Sequence, residues 1–343
     1  MEKQPNNGRR QFWLGMLISL LCLAGIFFFI SPAQILASLQ SANYAYLLLT
    51  ALGITGFLVI RAIRWRFMLS NDAPWITVFH IQNIGYLLSV LLPLRLGDVA
   101  RAVLIGSVPP ITISRGVSTM VVERILDMLF IVTLLPFTLS IVQQLPGWMQ
   151  AGAQGFGFIG IAAMLVLILA ANQRPLTLRV STAILNLIPF MNTEAWLGRV
   201  ESLLTGLDCL TSIKDGLVLI LLTVLTWLPI ICAYYATLLA VNIEPSFLMA
   251  AFVVCAAAFS VALPSSPGQI GVFHAGVIAA LQLLGQPEGA SASFAFLYHA
   301  VNIAVMVGFG IIGILSTGAT FREVIDSAQA FLNRKQNDTQ VRQ

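Results

Sequence analysis

The 343-residue sequence predicts an all-α polytopic membrane protein with six transmembrane helices and two re-entrant helical hairpins in an inverted repeat. Three observations carry that prediction. The first is composition: 58% of the residues are hydrophobic and 9% are charged, against about half and about a quarter in soluble domains. Eighteen Lys and Arg and 14 Asp and Glu are too few to solvate a soluble fold of this length. The second is run length. Apolar runs of ~18 residues or more recur, enough to cross ~30 Å of hydrocarbon as helix, and the short alternating segments of a barrel are absent. The third is a pair of matching helix breaks, described below.

Taken in order, the first apolar run, 12–30, follows Arg9 and Arg10. It exceeds a signal-peptide core of ~7–15 residues, so an uncleaved span is expected. Further spans are expected at 44–63, 119–141, 156–172, 216–240 and 291–316. Residues 176–213 mix apolar residues with Arg, Glu and Asp, the pattern of amphipathic helices on the membrane surface. The tail, 321–343, is polar and cytoplasmic, with its last residues, Gln336 to Gln343, expected to be disordered.

Two apolar stretches, 75–106 and 247–284, differ in kind. Each is broken by the pattern Leu-Pro-x-x-x-Gly, at Leu92 to Gly97 and at Leu263 to Gly268. Pro removes a backbone donor and Gly permits a sharp redirection, so each stretch reads as two half-helices that leave on the side they entered. Pro93 and Pro264 lie 171 positions apart, half the chain, and the flanking spans keep that register if part of 176–213 is an insertion. The expected units are a first repeat over 1–155 and a second over 156–320. Three crossings per unit place them in opposite orientations, a transporter architecture.

Charge placement agrees. With a cytoplasmic N-terminus, the outer segments 31–43, 142–155, 241–246 and 285–290 contain no Lys or Arg, while the inner ends carry Arg61, Arg64, Arg66, Arg115, Arg174 and others. Both termini are then cytoplasmic in a multi-pass protein of the cell membrane. The net charge of +4 is dispersed and indicates no nucleic acid partner. Cys22, Cys209, Cys232 and Cys255 have no metal-ligand spacing and read as small core residues. No metal or cofactor is expected. His-Glu-x-x-His, Gly-x-Ser-x-Gly, P-loop and Ser-x-x-Lys signatures are absent, so the sequence predicts no enzyme and no direct drive by ATP.

The candidate site residues sit at the breaks. Arg95 lies at the first tip between leucines, followed by Asp98 and Arg101. The spacings Arg95–Asp98 and Asp98–Arg101 allow i, i+3 pairing, which neutralises one Arg and leaves another for a phosphate-bearing ligand. Glu123, Arg124 and Asp127 open the next span, and Arg124 can reach Asp127 at i+3. They organise a polar interior, or form a salt-bridge network with Arg95 or Arg101, or both. At the second break, Ser266 before Pro267 reads as N-cap and first helical residue, so a helix start with free amides is expected there. Ser265, Gly268 and Gln269 complete that candidate anion site; the alternative is a plain break lined by small polar residues. His274 and His299 are candidates for a proton relay or hydrogen-bonded core residues. Arg61, Arg64 and Arg66 with Trp65 read as an interfacial anchor, with contact to anionic headgroups as a second role.

Pro93-Leu94-Arg95-Leu96-Gly97-Asp98 with Arg101, then Glu123-Arg124-Ile125-Leu126-Asp127, then Leu263-Pro264-Ser265-Ser266-Pro267-Gly268-Gln269-Ile270-Gly271-Val272-Phe273 resemble the signatures of the lysylphosphatidylglycerol synthetase transmembrane-region, or flippase-like, family. The resemblance covers nearly the whole chain in motif order. It implies lipid translocation between leaflets in a bacterial or archaeal membrane. In the synthetase a separate soluble domain makes the lipid; these 343 residues leave no room for one, so synthase activity is not carried over. Two departures stand out: Asp98 where the family often has Glu, and His274 where an acid commonly follows the Gly-x-Phe element.

The sequence therefore points to a flippase-like transporter of an anionic phospholipid or polyprenyl-phosphate-linked lipid. A partner enzyme in the same lipid pathway is a candidate. The alternatives are a membrane-embedded lipid-modifying enzyme and an accessory subunit of a glycosyltransferase pathway.

Overall fold

A computed structural model describes residues 7–92, 96–142, 147–186, 192–209, 212–263, 266–318, 321–327 and 329–330. Among them there are helices and turns and no strand. The tips Pro93 to Arg95 and Pro264 to Ser265, and the last residues of the tail, lie outside the described residues.

The first expected span is two helices, α1 (Asn7–Phe29) and α2 (Pro32–Gln40), bent by 82°. Ser31 precedes Pro32 at the first turn of α2, where a missing amide costs nothing. The expected outer segment 31–43 is therefore largely helical. Next come α3 (Tyr46–Met68), α4 (Trp75–Leu91), α5 (Leu96–Gly106), α6 (Ile113–Leu139) and α7 (Gly147–Asn172). Then α8 (Arg174–Asn186) and α9 (Thr193–Thr205) occupy the segment expected to be interfacial. They are followed by α10 (Ile213–Ala240), α11 (Phe247–Ala262), α12 (Val272–Leu283) and α13 (Glu288–Thr317). Hydroxyl caps start three of these: Thr112, Ser212 and Ser246 each accept a backbone amide three residues on. Gly318, at φ 67°, ends α13 in the left-handed conformation.

Among the described residues four helices are long and apolar enough to cross a membrane: α3, α10, α13 and the Gln154–Asn172 part of α7. The bent α1–α2 pair makes a fifth candidate. Helix α6, the remaining expected span, is 27 residues long, about 40 Å at the helical rise. Its first half carries Arg115, Glu123, Arg124 and Asp127, which removes it from that apolar class. Leucines and phenylalanines stand exposed along α1, α3, α7 and α10, for example Phe28, Leu48, Phe158 and Leu221. Such a surface suits acyl chains and would be costly in water.

At the first break, α4 and α5 pack against each other: a Cβ on Gly97 would collide with the Gly85 carbonyl and with Ser89. At the second, the structure corrects the expected helix start. Ser266 caps only a single 3₁₀ turn, Pro267–Gln269, and makes no side-chain capping bond. Helix α12 begins at Val272, with Gly271 as N-cap at φ 89°. Gly268 and Gln269 are both left-handed, at φ 68° and 60°, so the chain cannot wind a helix through them.

Packing is organised around α3 and α10. These helices run antiparallel: Thr50 Oγ1 lies 2.9 Å from Thr237 Oγ1 near one end, and Arg64 Nη1 donates to Thr223 Oγ1 at 3.4 Å near the other. Gly53 lets the α10 backbone at Pro229 come within van der Waals contact. Around this pair, α4 packs on α5 and α13, α5 on α6, α11 on α12 and α6, and α12 on α13. The turn Pro267–Gln269 rests on the end of α4 beside Val90, so the second break abuts the start of the first.

Candidate functional site

The most heavily charged part of the interior is built by three helices. Helix α3 supplies Arg61 and Arg64, one turn apart on its inward face, both buried. Helix α6 supplies Glu123 and Asp127 at i, i+4, and α5 supplies Arg101. Arg61 donates from Nη2 to both Glu123 Oε1 and Asp127 Oδ2, the latter at 2.8 Å. Arg64 Nη2 reaches Asp127 Oδ1 at 2.8 Å, and the Trp227 indole donates to the same oxygen at 3.3 Å. Arg101 Nη2 closes the network on Glu123 Oε2 at 3.3 Å. Its guanidinium lies 4.2 Å over the Trp65 ring, a cation–π contact in a water-poor setting. Trp65 is itself held by a bond from its Nε1 to Thr119 Oγ1 at 3.1 Å.

This geometry overturns the reading of Arg61, Arg64 and Trp65 as an interfacial anchor. All three are core residues: Glu123 and Asp127 on the facing helix compensate the two guanidinium groups, and Thr119 accepts the Trp65 indole N–H. Arg66 alone of that cluster stays at the edge, its Nε bonded to the Ala73 carbonyl at 2.9 Å. The local i, i+3 pairing of Asp98 with Arg101 is also corrected: Arg124 takes Asp98 at 3.1 and 3.2 Å, and Arg101 goes to Glu123. Arg124 accordingly turns away from Asp127. The Arg124–Asp98 pair is the more solvent-facing one, with the Arg124 side chain 51% exposed.

Counting charges decides what the cluster can do. Among the described residues three buried guanidinium groups meet two buried carboxylates, an excess of one positive charge in the cluster. The Nε donors of Arg61, Arg64 and Arg101 are all buried without an acceptor among the described residues. Buried charge and unsatisfied donors are both expensive, which makes the cluster receptive to an anion. Guanidinium groups match phosphate oxygens geometrically. Arg95, at the tip next to this cluster in sequence, lies outside the described residues.

The second break builds a different environment. The Ser266 amide donates to Ser19 Oγ at 2.9 Å, tying the break to α1, and the Ser266 hydroxyl donates to the Ile270 carbonyl at 3.2 Å. Beyond it, His274 on α12 and His299 on α13 are buried and stacked, ring centroids 4.7 Å apart and planes 11° from parallel. The Gly271 amide donates to His274 Nδ1 at 3.3 Å, so that nitrogen holds its lone pair and a neutral ring carries its proton on Nε2. His299 Nδ1 is buried without a partner among the described residues. Phe273 and Phe296 close around the pair. Ser265 lies outside the described residues, and Gln269 flanks the turn. Among the described residues no three His, Cys, Asp or Glu side chains gather as a metal site would require.

The structure thus joins Arg101, Glu123 and Asp127, sets Asp98 and Arg124 beside them, and places Gly268, Gln269, His274 and His299 together around the second break. The sequence reads Arg61, Arg64 and Trp65 as an anchor rather than as part of this cluster, and does not single out Trp227. A signal was present: two Arg at i, i+3 inside an apolar span must face carboxylates, and Glu123–Asp127 at i, i+4 is a matching acidic face.

No solved structure matches this chain. It is 24% identical over 358 aligned positions to the glycosyltransferase AglD of Haloferax volcanii, covering 94% of this chain but 57% of that protein. The chain therefore spans little more than half of that relative's length. It is 21% identical over 312 positions to a UPF0104 membrane protein of Methanothermobacter thermautotrophicus, covering 86% of this chain and 90% of the other. Residues 12–310 match the family described as the lysylphosphatidylglycerol synthase TM region, and the chain belongs to that family.

Proposed function

We propose that this protein is a lipid translocator of the cell membrane that moves an anionic lipid, a phospholipid or a polyprenyl-phosphate-linked one, between leaflets. The observation that carries the proposal is the buried cluster of Arg61, Arg64 and Arg101 against Glu123 and Asp127, with its unbalanced positive charge and three orphaned Nε donors. A phosphate headgroup supplies what the cluster lacks, while the tails remain in the bilayer against the exposed apolar surface. Arg95 and Arg101 would bind the phosphate from the first break. No chemical step is assigned to the chain.

The proposed architecture is six spans, with α6 as the sixth, and two opposed re-entrant hairpins, with both termini in the cytoplasm. Its support is a repeated packing scheme. Exchanging α3, α4, α5 and α6 with α10, α11, α12 and α13 maps α4–α5 onto α11–α12, α5–α6 onto α12–α13, and α4–α13 onto α11–α6. Helices α3 and α10, which exchange with each other, are antiparallel. An inverted repeat has both properties.

The test is leaflet transfer of fluorescent phospholipids and polyprenyl-phosphate lipids in proteoliposomes, wild type beside Arg95→Ala. Transfer that disappears in Arg95→Ala, with the variant still folded in the membrane, is the expected result. Undiminished transfer in the variant, or none by the wild type, overturns the assignment.

A second reading, accessory to a glycosyltransferase, is favoured by the similarity to AglD, a protein named as a glycosyltransferase. Stoichiometric co-purification with a glycosyltransferase is its expected sign.

A further inference from the structure

A groove of about 420 Å³ runs between the C-terminal half of α3 and the N-terminal half of α10, on the side away from the ionic cluster. Its walls are Ile63, Phe67, Val218 and Leu222, and Arg66 and Trp75 line it as well. Arg64 and Thr223, neighbours of these residues in sequence, face inward and bond across the same seam at 3.4 Å. Leu217 and Leu221, on the adjoining surface of α10, are exposed among the acyl-facing side chains. The groove is therefore apolar along the spans and polar at their charged end.

Two features at that end call for an anion. Arg66 is fixed through its Nε to the Ala73 carbonyl at 2.9 Å, and its terminal nitrogens have no partner among the described residues. Asp72, in the loop just beyond, does not neutralise it. Arg115 takes that carboxylate at 2.6 Å and the Ser70 hydroxyl at 2.7 Å, which also pins the loop. The Trp75 indole Nε1 is a buried donor without an acceptor. A rigid loop, an uncompensated guanidinium and a spare indole N–H stand beside a slot of acyl-chain character.

We propose that this groove is a fixed binding site for an anionic phospholipid, its phosphate on Arg66 and Trp75 and an acyl chain along Ile63, Phe67, Val218 and Leu222. This lipid is a resident one that clamps the α3–α10 seam, distinct from a lipid carried through the interior, and the site does not depend on translocation. Arg attracts phosphate at the membrane surface, and Trp belongs at that depth.

The experiment is native mass spectrometry of purified protein equilibrated with phosphatidylglycerol or phosphatidylcholine and then washed in detergent. The wild type should retain phosphatidylglycerol in preference to phosphatidylcholine. Arg66→Gln should lower retention by roughly tenfold, the worth of one charge-assisted hydrogen bond. Arg322→Gln, at an arginine whose side chain is 92% exposed, should leave it unchanged. Trp75→Phe and Leu222→Trp, which remove the donor and fill the slot without touching the charge, should each reduce retention even if Arg66→Gln fails to fold. Equal retention of both lipids by the wild type, or full retention by the folded Arg66, Trp75 and Leu222 variants, overturns the proposal.

Discussion

Glu123 and Asp127 each hold two guanidinium groups, so neither is a spectator. Removing one carboxylate leaves buried arginines facing each other. Glu123→Gln or Asp127→Asn should therefore destabilise the protein by about 3–5 kcal/mol, read as a large fall in thermal midpoint in detergent. Arg124→Gln breaks a half-exposed pair and should cost about 0–1 kcal/mol; a fall as large as that of Glu123→Gln would show that the rim pair is not solvated as the structure has it. The histidine pair is tested differently. His299→Phe keeps a ring on the His274 stack and removes the orphaned nitrogen. If the pair is a proton relay, this variant should lose any stimulation of transfer by a pH gradient while remaining folded. Intact stimulation would mark the two rings as packing residues.

At the scale of elements, two glycines allow backbone approaches that no other residue does. Gly271 starts α12 at φ 89°, and a Cβ there would strike the Ser19 backbone carbonyl on α1. Strain and collision together predict that Gly271→Ala costs about 1–3 kcal/mol, and it should loosen α1, read as faster proteolysis near residues 31–43. On α13, a Cβ on Gly310 would meet Leu87 and the Asn83 carbonyl of α4. Gly310→Leu should separate these helices and lower the thermal midpoint, whereas Gly308→Leu, with open space around it, should not. Small residues at such crossings are how helices associate where lipid provides no hydrophobic drive.

For the whole molecule, the proposed orientation makes a sharp prediction. Cysteines introduced at the exposed Glu244 and Lys214 lie at opposite ends of α10. In intact cells an impermeant maleimide should label Glu244→Cys, and should label Lys214→Cys only after lysis. The reverse pattern would invert the topology and place the α3–α10 groove in the opposite leaflet. The antiparallel α3–α10 pair makes the most extensive helix–helix packing among the described residues. The groove and the ionic cluster sit on its two faces, so a lipid in one and a phosphate in the other would both press on the Arg64–Thr223 contact.

Much of this was legible in the chain. Apolar run length located α10, α13 and the Gln154–Asn172 part of α7 to within three residues and α3 to within five, because a span is a property of local composition. The Leu-Pro-x-x-x-Gly breaks were readable for the same reason: Pro and Gly act on their own turn. The family was carried by those motifs together with Glu123-Arg124-Ile125-Leu126-Asp127. Partner choice was not local. Whether Arg101 meets Asp98, three residues away, or Glu123, on another helix, depends on how α5 lies against α6, and only the folded chain sets that. The same holds for Arg61 and Arg64, whose sequence neighbourhood resembles a membrane anchor until α6 brings two carboxylates to them. It holds also for Ser266, a good helix cap by residue type, which the left-handed Gly268 and Gln269 deny a helix. Sequence determined which segments are long and apolar enough to cross a membrane and where the helices break, because both depend on local residue type. Tertiary structure decided which charges compensate which, because a charge in a low dielectric is stabilised only by a partner within a few ångströms, wherever in the chain that partner lies.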